Sequence, residues 1–173
     1  MDRLWAPWRM SYMDDMSNDG SHDACFLCAA RDAQDDRKAL VFARRPLAFA
    51  VLNRFPYNNG HTLIVPSAHK GQMEDLTDEE MVETLRLARD VMALFRQVLR
   101  PDGFNLGLNF GRVAGAGLPE HLHLHLVPRW NGDTNFMPVL ADTKVIPQSL
   151  QDLYDRLQSA LRARPADARG QDP

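Results

Sequence analysis

The run HLHLHLV at residues 121–127 places three histidines at alternate positions, with leucines between them. In a β-strand, residues i, i+2 and i+4 point to one face of the sheet. We therefore expect a strand over Leu118–Val127 that turns its leucines toward the core. Its other face presents the imidazoles of His121, His123 and His125, about 6–7 Å apart from the rise per residue.

Three aligned imidazoles indicate chemistry, because the chain has only six histidines in 173 residues and clustered imidazoles repel one another when protonated. Two kinds of chemistry suit such a cluster. Neutral imidazoles bind metals, and imidazole also handles anionic substrates as a nucleophile and proton donor. The residues around the run help to distinguish the two.

The glycine-rich segment GRVAGAGLPE at residues 111–120 leads into the histidine run. Backbone N–H groups in such segments form concave nests that bind phosphate. The segment is not a Walker motif, since no Gly-Lys-Ser/Thr sequence follows. Beside three histidines it predicts a phosphate pocket, and we include Gly117 among the phosphate-binding residues.

Four further segments have the composition of strands. The first two flank the turn sequence Arg44-Arg45-Pro46 and predict a β-hairpin. The third stops at Pro66, and the fourth alternates along its length. In chain order, the predicted strands cover residues 39–43, 49–52, 61–65 and 104–110.

Two amphipathic helices are predicted. Thr77 has the features of an N-cap, and Glu80 three residues later completes a capping box. Apolar residues at helical spacing continue this helix to about Leu99. A last helix covers Leu150–Leu161. The fold class is α+β: an antiparallel sheet of about five strands, one long helix and a C-terminal helix.

We interpret residues 1–173 as a single domain, because the length suits one core and no Ser/Gly-rich linker divides the chain. A core is expected over residues 25–129, with a short helix after Cys25 that ends near Asp35-Asp36. Residues 1–24 form an arm and loop whose apolar part packs on the domain or on a partner subunit. A C-terminal extension (130–161) and a polar, disordered tail (162–173) complete the prediction.

Composition argues for an ordinary globular protein, with 45% hydrophobic and 25% charged residues. The net charge of -3 argues against non-specific binding to nucleic acid or to an anionic membrane, which shows a basic excess. No apolar run approaches the roughly 20 residues of a membrane span. We expect a cytoplasmic protein, since residues 1–5 contain no apolar signal core.

The two cysteines of the chain form a Cys-x-x-Cys motif, Cys25 and Cys28. Taken alone, the motif is compatible with a redox pair, with half of a metal site and with two buried thiols. The redox interpretation lacks the βαβ context expected around Cys25.

Structural zinc prefers four Cys or His ligands, and Cys-x-x-Cys is a usual first pair. His69 lies in a loop after a predicted strand, where it is free to turn toward a metal. We expect His69 and His121 to complete a zinc site with the two cysteines. This assignment leaves His123 and His125 for chemistry.

The histidine run resembles the motif of the histidine-triad (HIT) family, in which His alternates with hydrophobic residues and two hydrophobic residues follow. The segments NRFPYNNGHTLIVP (53–66) and NFG (109–111) are also similar to that family. The resemblance covers about Cys25–Arg129. Flanking segments at 4–12 and 128–136 resemble the bacterial branch of diadenosine tetraphosphate phosphorylases and hydrolases with a zinc site.

The resemblance implies a role for each matching residue. His123, the middle histidine, takes the nucleoside monophosphate as nucleophile, and His125 contacts the transferred phosphate. Asn53 holds the ribose hydroxyls, Asn109 lies near the phosphates, and His61 is a partner within the histidine network. Zinc-carrying members use the same four positions that the metal argument selected.

The implied activity is cleavage of dinucleoside polyphosphates, such as diadenosine tetraphosphate, through a nucleotidyl-His123, with water or phosphate as acceptor. Two alternatives stay open: a phosphoramidase of the same family, and a zinc-stabilised nucleotide-binding protein without turnover. Many members carry Gln, Ser or Thr where this chain has Gly117 and Leu118, which leaves the leaving-group preference open. The implied assembly is a homodimer, with zinc and no organic cofactor.

Overall fold

Five strands form one antiparallel sheet in the order β1-β2-β3-β5-β4. The computed structural model describes residues 25–133 and 145–163. The predictions for the arm at 1–24 and for most of the tail therefore lie outside the described residues. The strands are β1 (Val41–Arg44), β2 (Ala48–Leu52), β3 (Thr62–Pro66), β4 (Gly103–Leu108) and β5 (Leu124–Arg129).

The helices are α1 (Phe26–Arg31), α2 (Asp36–Ala39), α3 (Asp78–Val98) and α4 (Leu150–Ala163). Two helices, α1 and α2, replace the single short helix predicted after Cys25. The interruption has a local cause, because the Asp35 side chain accepts a hydrogen bond from the Lys38 N–H and starts a new helix. Leu40 has a φ of 63° and ends α2, so β1 begins two residues later than predicted.

Helix α3 confirms the predicted capping box, since the Thr77 and Glu80 side chains each bond the other's backbone N–H. Its buried stripe packs against the central strands β2 and β3, which are buried at every position. Helix α4 packs against α3 and buries Leu153 and Leu157. The predicted α+β fold class is confirmed.

The histidine run enters the sheet later than predicted, because β5 begins at Leu124 and not at Leu118. The Leu122 N–H donates to the Lys70 carbonyl (2.7 Å) instead of joining a strand ladder. His121 and His123 therefore lie in a loop that leads into β5. The leucines of the run are buried as predicted, so alternate burial starts before the paired strand does.

Strand β4 is the edge of the sheet beside β5. It ends at Leu108, two residues before the predicted limit, so Asn109 and Phe110 lie outside the ladder. Most of its residues are at least partly exposed, and Leu106 is 46% exposed. Among the described helices, none has the length and apolarity that crossing a bilayer requires.

Candidate functional site

The start of β5 and the loops around it bring five histidines together. His123 and His125 have ring centroids 5.0 Å apart, and His61 lies 5.2 Å from His125. On the other side, His69 and His121 are 4.9 Å apart. The His123–His125 spacing is shorter than the about 6–7 Å predicted for successive imidazoles of the triplet, because His123 precedes the regular strand.

The tautomer of His123 is set by its own chain. Its Nδ1 lies 2.8 Å from the carbonyl oxygen of His121. A carbonyl only accepts, so Nδ1 carries the hydrogen and Nε2 keeps its lone pair. His123 is 7% exposed, and this burial lowers its pKa, against a smaller opposing effect of the carbonyl. The result is a neutral imidazole with a nucleophilic Nε2.

A chain of two hydrogen bonds through His61 determines which nitrogen of His125 carries the hydrogen. The Tyr57 backbone N–H donates to His61 Nδ1 (3.1 Å), so in the neutral ring of His61 the hydrogen is at Nε2. His61 Nε2 lies 2.9 Å from His125 Nδ1 and donates to it. A neutral His125 then carries its hydrogen at Nε2, where it is a donor for an anionic ligand.

Burial keeps His61 neutral. Its side chain is 1% exposed, and desolvation, helped by the neighbouring His125 and His123, lowers its pKa to about 3. The Tyr57 ring covers it at a centroid distance of 4.5 Å. His61 therefore acts as a fixed hydrogen-bond donor and not as a charge.

The two asparagines of the sequence prediction lie on either side of the histidines. Asn53 Nδ2 is 3.3 Å from His61 Nδ1, and Asn53 Oδ1 accepts from the Phe55 N–H. Asn109 Nδ2 is 3.5 Å from His125 Nε2 and 3.4 Å from the Gly115 carbonyl. Both amides therefore lie beside the hydrogen-bonded pair His61 and His125.

The glycine-rich loop is folded on itself. Gly111 and Gly115 have φ values of 73° and 90°, and the N–H groups of Gly115 and Ala116 bond carbonyls within the loop. These two donors are thus occupied. The Gly117 N–H forms no hydrogen bond with the described part of the chain, which keeps it available to an anion.

The four predicted metal ligands form one cluster, in which every ligand atom lies within 4.8 Å of the others. Cys25 Sγ is 3.2 Å from His121 Nδ1, and Cys28 Sγ is 3.3 Å from His69 Nδ1. Tetrahedral zinc with ordinary Zn–S and Zn–N bonds separates such atoms by about 3.5 Å. The donor set and its spacing fit a zinc ion.

The orientation of His121 supports the same conclusion. Its Nε2 lies 2.9 Å from the Pro66 carbonyl, so Nε2 carries the hydrogen and donates to it. The lone pair on Nδ1 then faces the two thiols. Metal-bound histidines are usually oriented by this type of contact to a carbonyl.

The sequence prediction missed Tyr57 and a polar cleft of about 440 Å³ beyond His125. Tyr57 contacts His61 through its backbone N–H, and the type of side chain gives no indication of such a contact. The signal that the sequence did offer is the position of Tyr57, four residues before His61. The cleft lies between β4, β5 and two loops. Its lining includes Tyr57, Asn58, Asn105, Leu106, Gly107, Asn109, His125, Val127, Arg129 and Asp133.

Comparison with known proteins identifies the family. The HIT domain model matches residues 34–132, and the chain belongs to the HIT family. It is 42% identical to AP-4-A phosphorylase of Mycobacterium tuberculosis, over 95% of this chain and 87% of that protein. An adenosine 5'-monophosphoramidase of Schizosaccharomyces pombe is 24% identical, over 80% of this chain and 99% of its own length.

A solved structure gives the same family. A Zn-bound histidine triad family protein from Mycobacterium smegmatis superimposes with a TM-score of 0.65 and 25% identity, covering 85% of this chain and 98% of that one. The fold, the histidine motif and the family match therefore agree.

The buried His61 predicts a pH-dependent stability. Its folded pKa of about 3 lies below the ordinary 6.5, so between these values the unfolded chain takes up a proton that the folded protein does not. The contribution of His61 to the free energy of unfolding is therefore fully present above pH 6.5 and decreases as the pH falls toward 3, by at most about 1.4 kcal/mol per pH unit. Urea unfolding between about pH 7 and about pH 5 should show a steeper loss for wild type than for His61→Asn. An equal loss in both proteins would contradict the prediction.

Proposed function

We propose that this chain cleaves dinucleoside polyphosphates of the diadenosine tetraphosphate type through a nucleotidyl intermediate on His123. The broader class, a nucleotide hydrolase or transferase of the HIT family, follows from the named relatives. The observation that carries the finer proposal is the neutral, buried His123, whose Nδ1 hydrogen is held by a carbonyl while Nε2 is left as a lone pair.

In the first step, His123 Nε2 attacks the α-phosphorus. A P–N bond forms and the P–O bond to the remaining phosphates breaks, so a nucleoside polyphosphate leaves with the electron pair. His123 becomes positively charged, and the contact of its Nδ1–H with the His121 carbonyl stabilises this charge. Preorganised donors stabilise the transferred phosphoryl oxygens, and we assign this role to His125 Nε2–H, the Asn109 amide and the Gly117 N–H.

In the second step, an acceptor oxygen attacks the same phosphorus, breaks the P–N bond and returns His123 to its neutral form. Water gives a nucleoside monophosphate, and inorganic phosphate gives a nucleoside diphosphate. The name of the M. tuberculosis relative favours phosphate. We assign Asn53, beside His61, to the ribose hydroxyls of the transferred nucleotide.

A phosphoramidase is the second candidate, favoured by the relative from S. pombe. The same His123 would attack phosphorus and displace an amine instead of a phosphate chain. A comparison of turnover between diadenosine tetraphosphate and adenosine phosphoramidate separates the two. A third candidate, a nucleotide-binding protein without turnover, requires that neither compound be cleaved.

The nucleophile assignment predicts that His123→Asn loses turnover of diadenosine tetraphosphate by about a thousandfold or more, because the lone pair of the amide nitrogen is delocalised and does not attack phosphorus. Nucleotide affinity should change little, since the other contacts remain. Chromatography of products with and without inorganic phosphate measures the activity and identifies the acceptor. Normal turnover in the variant, or no 32P-labelled protein after alkaline denaturation of wild type mixed with α-labelled substrate, would contradict the covalent route, since the P–N bond of a nucleotidyl-histidine survives alkali.

We also propose that Cys25, Cys28, His69 and His121 bind a structural zinc ion. The fit of the donor atoms supports this, as does the Zn-bound relative. Bound to these four residues, a zinc ion would cross-link α1 with the loop after β3, which carries His69, and the loop before β5, which carries His121. Since the His121 carbonyl also holds His123, the same cross-link positions the nucleophile.

The zinc proposal predicts one equivalent of zinc per chain in metal analysis of the purified protein. Cys25→Ser should lose the metal and lower Tm by about 5 °C or more, because a structural site stabilises the fold directly. A chelator should lower Tm of wild type and leave Tm of Cys25→Ser unchanged. Zinc-free wild type, or equal chelator effects in both proteins, would refute the site.

We propose, finally, that two chains form a homodimer through β4. An exposed sheet edge is a template for pairing with another chain, and β4 is such an edge with Leu106 46% exposed. Sedimentation should give twice the chain mass of 19.6 kDa. Leu106→Arg is expected to yield monomers, whereas Val113→Arg, at a fully exposed position outside β4, should not. A monomeric wild type would contradict this assembly.

A further inference from the structure

The cleft beyond His125 shares His125 and Asn109 with the groups assigned to the transferred phosphate and extends past them. Its lining comes from β4, β5 and two loops and includes neither Asn53 nor His123. Its volume of about 440 Å³ lies in the range of pockets that hold small ligands. The two steps derived above leave the part of the cleft beyond His125 and Asn109 without a role.

The floor of the cleft extends along β5 away from the histidines. His125, Val127 and Arg129 alternate on one face of the strand, so Arg129 lies about 13 Å from His125 along the chain. Gly107 pairs with His125 on the neighbouring strand, and a Cβ at Gly107 would meet no described atom within 4 Å. The missing side chain leaves room for a ligand to pass from the histidines toward Arg129.

The charges at the far end of the cleft neutralise each other. Arg129 donates to both carboxylate oxygens of Asp133 (2.6 and 2.8 Å) and to Asn105 Oδ1 (2.7 Å). Asp133 also accepts from the Asn58 amide (2.8 Å). A free phosphate there would meet a carboxylate and a guanidinium that is already paired. This end therefore suits an uncharged polar ligand better than an anion.

Tyr57 forms an aromatic wall of the same cleft. Tyr57 is 48% exposed, and its ring packs beside His61 and His125, lying within 16° of the plane of the His125 ring. Nucleobases stack on open aromatic faces of this kind. Within the described part of the chain, the Tyr57 hydroxyl and Asn105 Nδ2 form no hydrogen bond, so both are available to a base or a ribose.

We infer that this cleft binds the second nucleoside of a dinucleoside polyphosphate, the one that leaves with the displaced phosphates. The inference rests on the proposed function, because it names the part of that substrate which the reacting site does not hold. The phosphate chain passes His125 and Gly107, the leaving base stacks on Tyr57, and Asn105 donates to it. The subsite selects substrates with two nucleosides over those with one.

Equilibrium binding to the His123→Asn variant tests the subsite apart from turnover. Isothermal titration calorimetry compares the Kd of diadenosine tetraphosphate with that of adenosine 5'-tetraphosphate, which lacks the second nucleoside. We expect the dinucleoside to bind about tenfold more tightly, within the range that one base–aromatic stack supplies. In the His123→Asn background, Tyr57→Leu should abolish the roughly tenfold difference in Kd between the two ligands, whereas Tyr57→Phe should retain it. Comparison between variants cancels the difference in charge between the two ligands.

Asn105→Ala is a second variant that lies away from the histidines, and it should weaken binding of the dinucleoside alone. Leu85→Ala on α3, a helix that contributes no residue to the cleft lining, is the matched control. An affinity ratio that Tyr57→Leu leaves unchanged, because both ligands lose equally or neither loses, overturns the subsite. Absence of turnover by wild type with the binding ratio intact contradicts the proposed function alone.

Discussion

The hydrogen bond between His123 Nδ1 and the His121 carbonyl is the constraint on which the rest of the site depends. It requires that residues 121–123 stay outside the ladder, since a paired strand directs its carbonyls to a neighbouring strand. The loop leaves this carbonyl free for the ring two residues later. The imidazole of His121 meanwhile faces the two thiols, so one residue serves the candidate metal site with its side chain and the proposed nucleophile, His123, with its backbone carbonyl.

The site is built from dipoles and lone pairs with little formal charge. Burial lowers the pKa values of His61, His121 and His123. Each of these rings has a hydrogen-bond partner that can act only as a donor or only as an acceptor. The Pro66 and His121 carbonyls can only accept, and the Tyr57 N–H can only donate. Such preorganisation stabilises a developing negative charge without the cost of reorienting solvent.

Side-chain patterns predicted the elements that depend on local chemistry. The Thr77–Glu80 capping box and the burial of alternate leucines are set by neighbouring residues, and both are confirmed. The metal cluster was predictable because few residue types bind zinc. The start of β5 was predicted wrongly, since alternation does not distinguish a paired strand from an extended loop, and pairing depends on a distant partner. Tyr57 was missed because its contact with His61 uses the backbone.

Lys70 joins two parts of the molecule that the sequence keeps far apart. Its carbonyl accepts from the Leu122 N–H between the first two triplet histidines, and its ammonium group bonds the Glu80 carboxylate in the capping box of α3. Loosening the first turn of that helix therefore withdraws a support from the loop that holds His123. Lys70 thus joins the beginning of α3 to the histidine loop through a single residue, with its side chain on the helix and its carbonyl on the loop.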